Sequence, residues 1–195
     1  MSEISEITFE NLIHTYIRAK DENRPHLLAG AFSPDAVLEM AVKATTIDFP
    51  PVSNGLESIT EVLRKFSQTY ENVYTYCLAR PWLVAVEDPH YSFDWLVGMS
   101  EKESGNVFVG CGRYDWYRCD SSGLIKQFRI TIEAMQVLPG EHLKQVLDWL
   151  AGIPYPWCTA NEIIKNVPDI DTLGPVIQYI NRMDTHKPGK QPKDL

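Results

Sequence analysis

The feature that most constrains this chain is a run of extended segments between residues 73 and 138. Tyr, Val, Trp and Phe are dense there, as they are in β-strands. Clusters of turn residues divide the run and predict strands near residues 73–86, 91–102, 106–118 and 124–138. Because short loops join antiparallel neighbours, the sequence predicts a four-stranded antiparallel meander.

Helical periodicity flanks the meander on both sides. Near the start of the chain, apolar residues recur with the spacing of one helix face at Phe9, Leu12, Ile13, Tyr16 and Ile17. This spacing predicts an amphipathic helix over about residues 7–20. A strand over residues 36–43, a helix after Gly55 and further helices beyond the meander are also predicted. The sequence therefore predicts an α+β fold: a cone-shaped, curved antiparallel sheet packed on N-terminal helices, with a helical C-terminal extension.

The length of 195 residues favours one domain with a substantial core. We place the end of the α+β domain after the last predicted strand, so that the domain spans residues 1–138. Residues 139–183 are the predicted C-terminal extension, whose first helix has an apolar stripe at Leu143, Val146, Leu147 and Leu150. The Lys- and Pro-bearing tail, residues 184–195, is expected to be disordered.

Charge and hydropathy exclude two classes of partner. The chain has 26 Asp and Glu against 18 Lys and Arg, which gives a net charge of −8. Such an acidic chain repels nucleic acid, so no nucleic-acid partner is predicted. The apolar runs are much shorter than the ~20 residues of a membrane-spanning helix, and the N-terminus is acidic where a signal peptide is basic. We therefore expect no membrane partner and a cytoplasmic location.

Metal and cofactor motifs are missing from the sequence. The four cysteines have no paired spacing and predict reduced, mostly buried thiols, and the five histidines have no metal-ligand spacing. Glycine-rich phosphate loops, GxSxG and HExxH do not occur. The sequence thus predicts neither a metal site nor a cofactor.

The order of the predicted elements resembles that of the nuclear transport factor two-like superfamily. The likeness covers about residues 5–138 and includes the segment AGAFSPDAVLEM after the first helix. This superfamily includes SnoaL-like polyketide cyclases, ketosteroid isomerase and scytalone dehydratase. The resemblance implies a cone whose open end binds a small, largely apolar molecule, such as a polyketide, a steroid or an aromatic ketone.

Two segments resemble the parts of ketosteroid isomerases that polarise a carbonyl. IHTYIRAKD places the oxyanion-binding tyrosine on Tyr16, and GRYDWYRCDSSG places the acidic hydrogen-bond donor on Asp115. Each residue has a structural alternative. Tyr16 lies on the apolar face of its helix, as a core tyrosine would. Arg113 stands two residues from Asp115 on the same strand face, where an ion pair would keep the carboxyl ionised instead of protonated.

The predicted pocket wall comes from the first and last strands. Leu38 and Met40 share one face of the first strand, whereas Phe128, Ile130 and Ile132 share one face of the last, and Arg113 would join them. Met40 occupies the position where the isomerases carry their general base, and a thioether cannot accept a useful proton. Two functions stay open: a lyase, isomerase or cyclase, and a non-catalytic ligand-binding or dimerisation module.

Strand alternation extends this assignment to the other face of the sheet. If Arg113 and Asp115 point into the pocket, Tyr114 and Trp116 point outward and would form a homodimer interface. The alternative is that the C-terminal extension covers that face within one chain. For the extension itself we expect a place at the pocket mouth as a lid, with the dimer seam as the alternative.

Overall fold

The computed structural model describes residues 7–183 of the chain. The helices are α1 (Phe9–Asp21), α2 (Leu56–Thr69), α3 (Leu143–Ala151), α4 (Ala160–Ile164) and α5 (Gly174–Met183). The strands are β1 (Phe32–Val42), β2 (Val52–Asn54), β3 (Tyr70–Leu78), β4 (His90–Glu101), β5 (Val107–Arg118) and β6 (Ile125–Leu138). Among these residues, no helix is long and apolar enough to cross a membrane. The tail predicted to be disordered, residues 184–195, lies outside the described residues.

The six strands form one sheet in the order β2-β1-β6-β5-β4-β3. The predicted meander is confirmed, because β3, β4, β5 and β6 pair with their chain neighbours in antiparallel register. β1 joins the sheet parallel to β6. β3 ends at Leu78, earlier than predicted, and Pro81 opens a short 3₁₀ helix instead. Proline has no N–H for a strand ladder, which accounts for this end. The predicted α+β class is confirmed.

The two faces of the sheet pack against different parts of the chain. We call the face that packs on α1 and α2 the inner face, and the face that packs on the C-terminal extension the outer face. Along β5 the side chains alternate, so that Tyr114 and Trp116 point to the inner face and are 3% and 0% exposed. The predicted homodimer interface through Tyr114 and Trp116 is therefore wrong, since both side chains lie in the core.

The C-terminal extension covers the outer face and forms a second apolar core there. α3 lies so close to β4 that a Cβ atom at Gly98 would be 2.2 Å from Cδ1 of Leu150. The prediction that the extension closes the pocket mouth is wrong, and the alternative of coverage within one chain is what the structure shows. The residues of this second core are Tyr76, Leu96, Val107, Val109, Cys111, Leu138, Val146, Trp149, Leu150, Ile153, Cys158, Ala160, Ile163, Leu173, Val176 and Ile180.

Between α3 and α4 the chain follows the outer strand of the sheet, β3. The backbone N–H of Cys77 donates to the carbonyl of Pro156 at 2.7 Å, and the N–H of Cys158 donates to the carbonyl of Cys77 at 3.0 Å. These bonds satisfy backbone groups that an edge strand would otherwise expose. All four cysteines are free, and three of them are buried.

Candidate functional site

Helix α1 positions the first candidate residue, Tyr16. The helix begins at a Thr8 cap, whose hydroxyl accepts a hydrogen bond from the Asn11 N–H at 3.2 Å. Its apolar face then packs on the inner face of the sheet and buries Tyr16. The phenol ring of Tyr16 makes edge contacts with Tyr114 and Phe128, with ring centroids 6.0 and 5.0 Å apart. The prediction that Tyr16 points inward is confirmed.

A narrow apolar cavity lies between the inner face, α1 and α2. We call it the inner cavity. Its volume is about 60 Å³. The predicted wall residues Leu38, Met40, Ile130 and Ile132 all line it, whereas Phe128 stacks on Trp116 at 3.7 Å and does not. The other lining residues are Tyr16, Lys20, Ile47, Phe49, Val62, Leu63, Phe66, Trp95, Val97, Met99, Tyr114 and Met135.

Two phenols are among the few polar groups of the inner cavity. Burial raises the pKa of Tyr16, and the Asp21 carboxylate raises it further, while a hydrogen bond with Tyr114 lowers it in part. Burial also raises the pKa of Tyr114, and Tyr16 adds to that effect. Both hydroxyls therefore keep their protons at neutral pH and act as hydrogen-bond donors.

The Trp95 indole has a hydrogen-bond donor without a partner. Its Nε1 is buried and contacts no acceptor among the described residues. The ring stacks on Tyr114 with centroids 5.3 Å apart and lies above Gly112, where a Cβ atom would come within 2.9 Å of it. A buried donor without a partner costs about 1–3 kcal/mol. An acceptor that reached this N–H would recover that cost.

Among the described lining residues Lys20 is the charged one, and a hydrogen-bond cluster holds its ammonium. Its ammonium donates to Asp21 at 2.6 Å and to the Thr75 hydroxyl at 2.5 Å. Asp21 also accepts from the Thr75 N–H at 2.7 Å and from the Tyr155 hydroxyl at 2.9 Å. Tyr155 belongs to the C-terminal extension, so both ends of the chain contribute to this cluster. Sequence analysis singled out neither Lys20 nor Trp95, and only their apolar neighbours at strand and helix spacing hinted at their position.

Asp115 and Arg113 lie on the outer face and do not reach the inner cavity. Arg113 Nε is 3.5 Å from Asp115 Oδ1, and the Ser92 hydroxyl donates to the same carboxylate. The predicted pairing of Asp115 with Tyr16, and the predicted place of Arg113 in that pocket, are wrong. The physical reason is period-two alternation: the aromatic rings of Tyr114 and Trp116 occupy the core, so the charged residues between them face outward.

The inner cavity offers little acid–base chemistry. None of its described lining residues is Asp, Glu or His. Within residues 7–183, no group of three His, Cys, Asp or Glu side chains could hold a metal ion. The site can bind, orient and donate hydrogen bonds, but its lining provides no carboxylate or imidazole to remove a proton.

Comparisons with known proteins identify the fold. No family model matches the sequence, and no curated protein matches it. Among solved structures, a hexachlorocyclohexane dehydrochlorinase has a TM-score of 0.54 at 16% identity, over 70% of this chain and 90% of that one. A proposed isomerase from Rhodopseudomonas palustris has a TM-score of 0.51 at 13% sequence identity, and the match covers 76% of this chain and 99% of the isomerase. A proposed aromatic ring hydroxylase from Novosphingobium aromaticivorans has a TM-score of 0.51 at 16% sequence identity, and the match covers 71% of this chain and 96% of the hydroxylase. The chain thus shares its fold with these three proteins.

Proposed function

We propose that this protein binds a small, largely apolar molecule with one hydrogen-bond acceptor in the inner cavity. The observation that carries the proposal is the buried Trp95 Nε1–H, which has no acceptor among the described residues although it belongs to a residue of the cavity wall. Tyr16 and Tyr114 share one hydrogen bond, so one of their two protonated hydroxyls is left as a further donor. A ketone oxygen is an acceptor of the right kind, whereas a charged ligand would lose its hydration in this apolar wall.

Binding is favoured over the lyase, isomerase or cyclase alternative. Those reactions move a proton to or from carbon or oxygen and need a base within hydrogen-bond reach. Met40 lines the inner cavity where the isomerases carry that base, and Asp115 lies on the outer face. Lys20 is the charged residue among the described lining residues. Its ammonium donates hydrogen bonds to Asp21 and Thr75, so it is not a free base.

The size of the inner cavity limits the ligand. An apolar cavity of about 150 Å³ binds benzene. The 60 Å³ here is smaller, so a six-membered ring requires lining side chains to move. Met40, Met99 and Met135 are unbranched and change rotamer at low cost, which makes them the side chains that would yield. The dehydrochlorinase of the same fold is named for hexachlorocyclohexane, a six-membered ring, and this supports the choice of ring-sized probes.

A matched pair of probes tests the proposal. Cyclohexanone and methylenecyclohexane have the same shape, but only the ketone has an acceptor. In ¹H–¹⁵N spectra of the full chain, we expect cyclohexanone to shift the Trp95 indole signal downfield and to bind more tightly than methylenecyclohexane. Trp95→Phe and Tyr16→Phe should each weaken cyclohexanone binding about two- to tenfold, because each removes one hydrogen bond of about 0.5–1.5 kcal/mol.

The control variant is Trp82→Phe, since Trp82 is 54% exposed and lies outside the inner cavity. It should bind both probes as the unchanged protein does. The proposal is wrong if the two probes bind equally tightly and both donor variants bind cyclohexanone normally. Saturating cyclohexanone without any shift of the Trp95 indole signal would also contradict it.

A further inference from the structure

A second and much wider opening lies on the outer face, where the ends of β3, β4 and β5 meet the C-terminal extension. We call it the outer cleft. Its volume is about 930 Å³, compared with about 60 Å³ for the inner cavity. Its lining residues are Leu78, Ala79, Arg80, Tyr91, Ser92, Phe93, Asp94, Arg113, Cys158, Thr159, Ala160, Tyr179 and Arg182.

The charge of the outer cleft is opposite to that of the whole chain. The sequence has a net charge of −8, yet the cleft is lined by three arginines and one carboxylate, that of Asp94. Arg80 lies between β3 and the 3₁₀ helix that Pro81 opens, Arg113 lies on β5 and Arg182 on α5. Cationic side chains from three separate parts of the chain therefore converge in an acidic protein. Because like charges repel, anions stabilise such a convergence, and Asp94 and Asp115 already lie near Arg113.

Two of these guanidinium groups have donors to spare. The side chain of Arg80 makes no hydrogen bond or ion pair within residues 7–183, and its backbone N–H donates to the Tyr91 hydroxyl at 3.1 Å. Arg113 approaches Asp94 and Asp115 only at 3.7 and 3.5 Å, without a hydrogen bond to either. A guanidinium has five N–H donors in a planar fork, which matches the oxygens of a carboxylate or a phosphate.

The nearby carboxylates are already engaged by hydroxyl groups. Asp94 accepts a hydrogen bond from the Tyr179 hydroxyl at 2.8 Å. Asp115, which lies beside the cleft, accepts one from the Ser92 hydroxyl, and the His90 ring contacts the same serine at 2.7 Å. These bonds fix both carboxylates against the strands. The free donors of Arg80 and Arg113 are then available to a ligand in the cleft.

We propose that the outer cleft binds a small organic anion through a phosphate or carboxylate group held by Arg80 and Arg113. The cleft is far larger than the anionic group alone, and Leu78 and Ala79 provide an apolar surface beside Arg80 for the uncharged part of the molecule. Thr159, Tyr179 and Arg182 also line the cleft, so the C-terminal extension completes the site. This site is separate from the inner cavity and does not depend on the function proposed for it.

Four probes test the class of ligand in the full chain. Phenyl phosphate and benzoate have the anionic groups in question, benzyl alcohol is their neutral counterpart, and inorganic phosphate lacks the apolar part. We expect at least one aromatic anion to bind more tightly than benzyl alcohol and to shift the backbone amide signals of Asp94 and Arg113. The Trp95 indole signal should stay in place, which separates this site from the inner cavity. The tighter of the two aromatic anions identifies the preferred group.

Two variants test the residues. Arg80→Gln and Arg113→Gln should each weaken binding of that anion about tenfold or more, because each removes charge-assisted hydrogen bonds. Both side chains are exposed, so the variants should keep the circular dichroism spectrum of the unchanged protein. Arg64→Gln is the matched control: Arg64 is an exposed arginine on α2, away from the outer cleft, and its loss should leave binding unchanged. The proposal is overturned if benzyl alcohol binds as tightly as the anions, if no anion binds up to about 10 mM, or if both cleft variants bind normally.

Discussion

The inner and outer faces of one sheet differ in what they pack against and in the kind of opening they leave. The inner face packs on α1 and α2 around a narrow cavity whose described wall contains no carboxylate or imidazole. The outer face packs on the C-terminal extension and combines a second apolar core with a wide cleft lined by arginines. Both arrangements use the same strands, since successive side chains of a strand point to opposite faces. A shift of one position in an assignment therefore exchanges one site for the other.

Strand β5 shows this most directly. Tyr114 lines the inner cavity, whereas its neighbour Arg113 lines the outer cleft. Two residues further along the strand, Asp115 lies on the outer face and Trp116 in the core of the inner face. A motif match that is correct in register along the strand can still be wrong about function, because the chemistry depends on the face.

The largest expected effect comes from removing the C-terminal extension. Deleting residues 140–195 would expose outer-face residues of the second core such as Tyr76, Leu96 and Val109. Each large apolar side chain contributes about 1.5–3 kcal/mol when buried, and a domain is stable by only about 5–15 kcal/mol. We expect the truncated chain to lose cooperative unfolding in urea, followed by circular dichroism. A truncated chain that unfolds cooperatively would mean that residues 1–139 form an independent domain, and that the outer face is only a docking surface.

A point variant makes the same test in the full chain. Trp149 lies in the second core, and its indole donates to the Ile163 carbonyl at 2.9 Å. Trp149→Ala should lower the free energy of unfolding by about 3–5 kcal/mol. Trp82→Ala, at a side chain that is 54% exposed, should change it by less than about 0.5 kcal/mol. Equal effects of the two variants would contradict the view that the outer face has a core of its own.

On the inner face the most sensitive position is Gly112. A Cβ atom there would be 1.9 Å from the Thr131 carbonyl oxygen and 2.9 Å from the Trp95 ring. Because the first of these atoms belongs to the backbone of β6, Gly112→Ala forces strands β5 and β6 apart. We expect a loss of about 3 kcal/mol in urea unfolding. Gly30→Ala is the control, because a Cβ atom at Gly30 meets nothing within 4 Å. If the two alanines are equally tolerated, the close approach under Trp95 does not exist.

The sequence predicts the fold well because local patterns determine it. The 3.6-residue spacing of apolar residues located α1, and turn residues separated the strands of the meander. The same patterns did not lead to the correct face for Asp115. Its assignment to the pocket followed a family motif, whereas the aromatic side chains of Tyr114 and Trp116 have a stronger tendency to be buried than charged ones. Alternation combined with this tendency would have placed those two rings inside.

The position of the C-terminal extension could not be obtained from its own sequence. Its apolar stripe shows that the first helix is buried but not against which surface. The missing information lies in the sheet: β5 is apolar on both faces between Val107 and Cys111. Such a strand must be covered on two sides, whereas a half-exposed strand alternates between apolar and polar residues. The donor on Trp95 and the cluster around Lys20 depend on contacts between distant segments, which no local pattern contains.

A smaller effect is expected where the two ends of the chain meet. The Tyr155 hydroxyl donates to buried Asp21, which in turn holds the ammonium of Lys20 at the inner cavity. Tyr155→Phe removes one donor from this carboxylate and should lower the free energy of unfolding by about 1 kcal/mol. Tyr117→Phe, at an outer-face ring stacked on His90, serves as the matched phenol-to-phenyl control and should have no such effect. An equal loss in both variants would show that the contact between the C-terminal extension and the cavity cluster is not stabilising.

The smallest effect concerns Asp94, the carboxylate of the outer cleft. Burial raises the pKa of Asp94, while the Tyr179 hydroxyl and Arg113 lower it in part. The folded chain therefore holds this proton more tightly than the unfolded chain does. Unfolding then releases a proton, so rising pH favours unfolding. This contribution of Asp94 to stability is present at low pH and declines as the pH rises from the ordinary carboxyl value of 3.8 through the higher folded pKa.

The variant Asp94→Asn cannot make this transition, so the comparison isolates it. Urea unfolding of both proteins between about pH 4 and pH 7 should show the unchanged protein losing stability relative to Asp94→Asn as the pH rises. Tyr179→Phe removes a hydroxyl that stabilises the ionised carboxylate at 2.8 Å, so the decline should continue to higher pH in that background. A difference that grows in the opposite direction would mean that Arg113 outweighs burial and that the cleft holds Asp94 as a stabilising ion pair. The outer face would then resemble an exposed charged surface, and its contrast with the inner face would rest on the second apolar core alone.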